Sequence, residues 1–71
     1  MTAATISISL NGEPTTIDAG TTVRRLLEQL ELGEAVVAVA VNRSFVPRSQ
    51  HAEHVVHAGD AIELVAPMQG G

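Results

Sequence analysis

The chain has no cysteine. That excludes disulfides, cysteine-ligated metal sites and a cysteine nucleophile. It has no tryptophan or tyrosine, and Phe45 is its sole aromatic residue. Proteins that stack nucleic-acid bases need several aromatic platforms, so the sequence argues against that class. Charge argues the same way. Four basic against eight acidic residues give a net charge of −4, whereas phosphate recognition calls for clustered basic side chains. Lysine is also missing: the basic residues are Arg24, Arg25, Arg43 and Arg48. The longest apolar run, Ala35 to Val41, is far short of the roughly 20 residues of a membrane span. The first residues, MTAATISISL, lack the basic region and long apolar stretch of a signal peptide. The expectation is a cytoplasmic protein that binds neither nucleic acid nor membrane. Its acidic balance suits solubility and a partner with a basic face.

What is present fits one domain of 71 residues. A chain this short buries only about 60% of its unfolded surface, so its core must be compact. Thr5 to Leu10 alternates polar and apolar, with Ile6, Ile8 and Leu10 on one face, the period of a half-buried strand. Asn11-Gly12 follows, a strong short-range hairpin signal. A second strand is expected from about Pro14 to Ile17 or Asp18, proline suiting a strand start or an edge. After Asp18-Ala19-Gly20, either Thr21 or Thr22 can cap a helix. Val23, Leu26, Leu27 and Leu30 then form one apolar stripe, as a helix of about three turns lying on a sheet requires. Gly33 is placed to end that helix in a left-handed conformation.

Val36 to Val41 is apolar at every position and reads as a strand with both faces at least partly covered. A polar connection, Asn42-Arg43-Ser44, leads to Phe45-Val46-Pro47. Arg48 to His57 is polar and irregular, with room for a short helical turn or edge strand. Ala58-Gly59-Asp60 is a turn, with Gly59 supplying positive φ. Ala61 to Ala66 is the last strand, with Ile62 and Leu64 on its core face. The order of elements is that of an α+β β-grasp fold: a mixed sheet of four to five strands with one helix packed across it. The last strand is expected beside the first, in parallel, at the sheet centre, with the helix making the crossover that a parallel pair needs. Residues 1–66 form the domain and residues 67–71 a flexible tail.

That tail, Pro67-Met68-Gln69-Gly70-Gly71, invites two readings. Terminal glycines are the residues least held in place, and a frayed end accounts for them. Alternatively, the terminal carboxylate is the working group and the glycines let it enter a narrow channel.

Val41-Asn42, Val46-Pro47-Arg48, Gly59-Asp60 and the closing IELVAPMQGG decide between them. In this order, spacing and total length they resemble the ThiS-type sulfur carriers of thiamine biosynthesis, ubiquitin-like β-grasp proteins. The resemblance covers essentially the whole chain, by pattern alone in its N-terminal half. The small subunit of molybdopterin synthase shares the fold, the Gly-Asp turn and the Gly-Gly end. It is usually longer and does not typically carry the Val-Pro-Arg stretch. It stands as the alternative carrier, and a β-grasp binding module that is never activated stands as the alternative outside that class.

The resemblance implies a co-substrate, not an enzyme. A ubiquitin-activating-type adenylyltransferase would use ATP and Mg²⁺ to adenylate the Gly71 carboxylate. A sulfur donor such as a cysteine desulfurase system would convert it to a thiocarboxylate, and thiazole synthase would take the sulfur. The carrier itself binds no cofactor or metal and is expected to be a monomer when free. The composition is compatible with this chemistry. Without cysteine, sulfur can be held covalently only at a carbonyl carbon. Without lysine, an activated C-terminus cannot form lysine-linked chains with its own kind. Gly70 and Gln69 would thread into the partner, with Pro67 setting the exit direction.

Phe45, Val46 and Met68 fit either the core or an exposed apolar patch that docks partners, since aromatics and methionine are enriched at interface centres. With Pro67 and Arg48 they make the candidate partner-binding set. Arg48 would steady the loop beneath the tail or meet an acidic patch on a partner, with a plain surface arginine as the equal alternative. His51, His54 and His57, three apart, read as a solvated loop, because metal ligands must converge in space. Ser49 beside His51 is no hydrolase signature, since a triad is defined by geometry.

Overall fold

The structure, a computed structural model, describes residues 4–32 and 38–65. Strand β1 (Thr5–Leu10) and strand β2 (Glu13–Asp18) form an antiparallel hairpin. Asn11 and Gly12 turn it with φ of 50° and 86°, both left-handed, as a two-residue turn matched to strand twist demands. Helix α1 (Val23–Gln29) crosses to β3 (Ala38–Val41) and β4 (Ser44–Val46); a short 3₁₀ turn (Arg48–Gln50) and β5 (Ala61–Val65) follow. The five strands lie in the order β2-β1-β5-β3-β4. The last strand is central and parallel to the first, with Ser9 beside Ala61 and Leu10 beside Ile62. Its other neighbour is antiparallel β3.

One face of this sheet and one stripe of the helix make the core: Ile8, Ile17, Val39, Val41, Val46 and Ile62 from the strands, Val23, Leu26 and Leu27 from α1, and Val56 from the segment before β5. Ile6, Leu10, Leu32 and Leu64 pack around it. Burying each such side chain contributes about 1.5–3 kcal/mol, and no disulfide assists. Among the described residues no buried side-chain nitrogen or oxygen lacks a partner.

Thr22, not Thr21, caps the helix. Its hydroxyl accepts from the Arg25 N–H at 3.2 Å, while the Thr21 hydroxyl, itself buried, turns back to the Asp18 carbonyl at 2.7 Å. The two remaining first-turn N–H groups, which no intrahelical partner can reach, are taken by the irregular segment. Val23 N–H donates to the His54 carbonyl and Arg24 N–H to that of His51, at 2.9 and 3.0 Å. Thr22 also bridges to Val55 in antiparallel fashion.

The helix ends sooner than its apolar stripe suggests. Leu30 is the C-cap and Glu31 takes φ of 63°. Leu32 N–H reaches the Leu27 carbonyl at 2.7 Å and Glu31 N–H that of Glu28 at 3.0 Å, the paired bonds of a Schellman ending. Leu32 folds back onto the core, and that apolar contact holds Glu31 left-handed at a cost of about 1–2 kcal/mol. Glu31 thus fills the place expected of Gly33, and Leu30, past the last helical residue, is exposed. Gly33 lies outside the described residues, as do Val36 and Val37 of the expected strand.

Candidate functional site

The strand that leads to the tail is held on three sides. On the β3 side it pairs from Val41↔Ile62 to Ala38↔Val65. At its start, Asn42 and Asp60 clamp it to the β3–β4 turn. Asn42 Nδ2–H donates to Asp60 Oδ1 at 3.0 Å, and Asn42 Oδ1 accepts from the Ala61 N–H at 3.0 Å. The second Asp60 oxygen accepts from the His57 N–H at 2.8 Å, closing the turn in which Gly59 has φ of 86°. Val41-Asn42 and Gly59-Asp60, distant in sequence, are therefore one hydrogen-bonded unit. On the β1 side, the Asn11 side-chain oxygen accepts from the Leu64 N–H at 2.9 Å. Asn11 was legible as a turn residue; its hold on β5, 53 positions away, carries no local signal.

The turn between β3 and β4 is a second two-residue hairpin, with Asn42 and Arg43 at φ of 53° and 69°. It sets the alternation on β4. Val46 points into the core, 4% exposed, and Phe45 points away, 67% exposed. Val46 therefore leaves the candidate partner-binding surface. Its partner across the sheet is Val39, itself fully buried, and an inward side chain cannot meet a docking protein. Phe45 lies beside Ala40, Ala40 beside Glu63, and Ala38 beside Val65. The outer face thus carries a shallow apolar strip from Phe45 to Val65 over two alanines, with Glu63 at its margin. It ends at the last described residue before the tail.

Arg48 is not on that strip. It opens the 3₁₀ turn after Pro47 and lines a shallow depression beside α1 with Arg24, Leu27 and Glu28. Arg24 pairs with Glu28 along the helix at 3.3 Å, an exposed pair of little energetic weight. Pro67, Met68, Gln69, Gly70 and Gly71 lie outside the described residues.

The histidines separate. His57 is exposed and His54 half-buried, but His51 is 7% exposed, contrary to the expected solvated loop. Its Nε2–H donates to the Val46 carbonyl at 3.1 Å, which fixes the tautomer because a carbonyl can only accept. The ring joins the 3₁₀ segment to β4, while the His51 backbone carbonyl caps the helix. Among the described residues no group of His, Asp and Glu could hold a metal. No described helix is long and apolar enough to cross a membrane.

A mixed five-stranded sheet with its last strand central and one helix across it defines the class: a ubiquitin-like β-grasp domain. Comparison with known proteins narrows it. Residues 8–71 match the ThiS family. The chain is 42% identical over 66 residues to the sulfur carrier protein ThiS of Escherichia coli K12, covering 93% of this chain and all of that one. A solved structure of the thiamine biosynthesis protein ThiS from Geobacter metallireducens superposes with a TM-score of 0.79 at 32% identity, over 93% of this chain and 100% of that one. The thiazole synthase of Paramagnetospirillum magneticum is 38% identical over 66 residues, but the chain spans only 20% of its length. The chain belongs to the ThiS family.

Proposed function

We propose that this chain carries sulfur for thiamine biosynthesis as a thiocarboxylate on Gly71 and delivers it to thiazole formation. The observation that supports this most is the similarity to the Escherichia coli sulfur carrier along that protein's whole length. Between the two carrier readings, the family match favours the thiamine branch over molybdopterin synthase.

A carboxylate is a poor electrophile and must be activated. In the proposed cycle a Gly71 oxygen attacks the α-phosphate of ATP in a ubiquitin-activating-type adenylyltransferase, and pyrophosphate leaves. The partner supplies Mg²⁺ and positive charge for the phosphoryl transfer. A persulfide, formed by a donor such as a cysteine desulfurase system, then attacks the acyl carbon through its outer sulfur and AMP leaves. A thiol attacks the donor's sulfur in the resulting acyl disulfide, forming a disulfide with the donor and releasing the thiocarboxylate. The acyl adenylate has to be shielded from water, which calls for a tail able to enter a narrow channel. Gly70 and Gly71 lack a Cβ and meet that requirement. The carrier is a co-substrate; the catalysis belongs to its partners.

Thiazole synthase is the proposed acceptor. In two bacterial thiazole synthases a stretch 38–39% identical to this chain makes up 20% of the protein, so carrier-like and synthase sequence occur in one polypeptide. The strip from Phe45 to Val65 suits docking of such partners, because it adjoins the point where the tail begins. A protein seated there would have the reactive end within reach.

Intact-mass spectrometry tests the proposal. Untagged chain is incubated with the adenylyltransferase, ATP and a sulfur source. A mass gain matching one oxygen exchanged for one sulfur, mapped to Gly71, is expected. Unchanged mass beside an enzyme shown to be active would overturn the proposal and favour a non-activated binding module.

A further inference from the structure

We propose that Asn11 is a positioning residue for the activation of the C-terminus, acting through Leu64. This rests on the reading of Gly71 as the activated group and names a part of the fold that serves it. In the parallel ladder between β1 and β5, Ser9 N–H donates to the Asp60 carbonyl at 3.0 Å and Asn11 N–H to that of Ile62 at 2.9 Å. Bonds in such a ladder recur every second residue. The next rung would take the Leu64 N–H to the backbone carbonyl of Asn11.

That carbonyl belongs to the hairpin turn, where Asn11 is left-handed and the chain reverses into β2. The Asn11 side chain takes its place, with Oδ1 accepting from Leu64 at 2.9 Å. One side chain thereby adds a rung that the backbone no longer offers. The rung lies seven positions before Gly71. On the opposite side the pairing with β3 reaches Val65, so the Asn11 bond keeps β5 paired on both edges almost to the tail.

The physical role is restriction of the exit direction. Without the acceptor, the end of β5 is paired on one edge and opens locally more often. The direction in which β5 ends is then less fixed, and a smaller fraction of molecules presents that end correctly to the enzyme. A reduced competent fraction raises the apparent dissociation constant in proportion and leaves the chemistry of the bound state untouched. The signature is therefore a higher KM for the carrier with kcat unchanged.

The test compares Asn11→Gly with Asn11→Asp. Glycine keeps the left-handed turn and removes the acceptor. Aspartate tolerates the same turn and retains an oxygen that can accept from Leu64. Amide hydrogen exchange reads the bond directly, and adenylation kinetics with a ubiquitin-activating-type adenylyltransferase read its consequence. In Asn11→Gly, exchange at Leu64 should quicken about tenfold, with core amides such as that of Val39 unchanged; a net hydrogen bond has that worth. KM should rise with kcat constant, by no more than the same factor of about ten, because the competent fraction cannot fall by a larger factor than the opening constant grows. Asn11→Asp should restore both. Faster exchange at Leu64 with unaltered KM, or a KM defect that aspartate fails to rescue, overturns the positioning role. A wild-type chain that the enzyme never adenylates overturns the functional reading, and this inference with it, even where the exchange difference stands.

Discussion

The Asn42 side-chain amide spans 3.0 Å to Asp60 on one side and 3.0 Å to the Ala61 N–H on the other. It joins a left-handed turn to the first residue of the central strand. Removing either partner leaves polar groups of the other without their bonds. Asp60→Ala strips the acceptor from both Asn42 and the His57 N–H, and should lower stability by about 1–3 kcal/mol at this partly exposed site. In a domain of this size that is roughly 4–8 °C of melting temperature per kcal/mol. The two single changes and the double change, followed by urea unfolding, give the coupling. A coupling energy of about 0.5–1.5 kcal/mol is expected for directly bonded residues, and strict additivity would show that the clamp contributes nothing.

His51 makes a second, independent prediction. Its ring is buried, and its Nε2–H is bonded to the Val46 carbonyl. His51→Ala empties the space and removes one of the two bonds to that carbonyl, a combined loss of about 2–4 kcal/mol. His51→Phe fills the space but supplies no donor, and should cost about 0.5–1.5 kcal/mol, the net worth of one hydrogen bond, since the Val46 carbonyl keeps its ladder pairing with Val39. Thermal unfolding of both variants checks this. If both match the wild type, the ring is not part of the core.

How much of this was readable beforehand depends on where each residue's partner lies. β1, its turn at Asn11-Gly12 and the helix stripe from Val23 to Leu27 follow from local periodicity and turn chemistry, and the central last strand from the order of elements, which is that of a β-grasp fold. The second hairpin does not. Its turn residues are Asn42 and Arg43, and arginine in a left-handed position lacks the glycine that marks such turns. His51 read as solvated because polar sequence surrounds it, yet its ring is buried and its backbone carbonyl serves the helix start. The early helix end depends on Leu32 reaching the core, and periodicity within α1 says nothing of that. The family motif was legible as a pattern. Its physical meaning, Asn42 bonded to Asp60, needed the fold.

Phe45 and Val46 are neighbours with opposite tasks, and substituting each by alanine should separate docking from folding. Phe45 is 67% exposed, so Phe45→Ala should change stability by no more than about 0.5 kcal/mol. If the strip to Val65 is the docking face, the same change should weaken binding to the adenylyltransferase or thiazole synthase by about 1–2 kcal/mol or more, as removal of a central aromatic anchor does. Val46→Ala should do the reverse. It deletes buried methyl groups and costs about 1–3 kcal/mol of stability, with binding unaffected once the protein is folded. Urea titrations and calorimetry on both variants decide it. Unaltered binding by the Phe45 variant removes this face from consideration.

The tail yields the sharpest split between stability and function. The described core runs from Ile6 to Leu64, so changes at Gly70 and Gly71 should leave the unfolding midpoint where it is. Gly70→Val adds a branched side chain to the segment proposed to enter the partner's channel, and a Cβ is what a glycine-only passage cannot admit. Deleting Gly71 shortens the tail by about 3.5 Å and withdraws the carboxylate from the α-phosphate. A displacement of about 1 Å can already cost on the order of 10²-fold in rate, so adenylation of the truncated chain should fall below detection. ATP–pyrophosphate exchange measures it directly. Activation of the valine variant at the wild-type rate would rule out the steric argument, and activation of the truncated chain would rule out Gly71 as the reacting group.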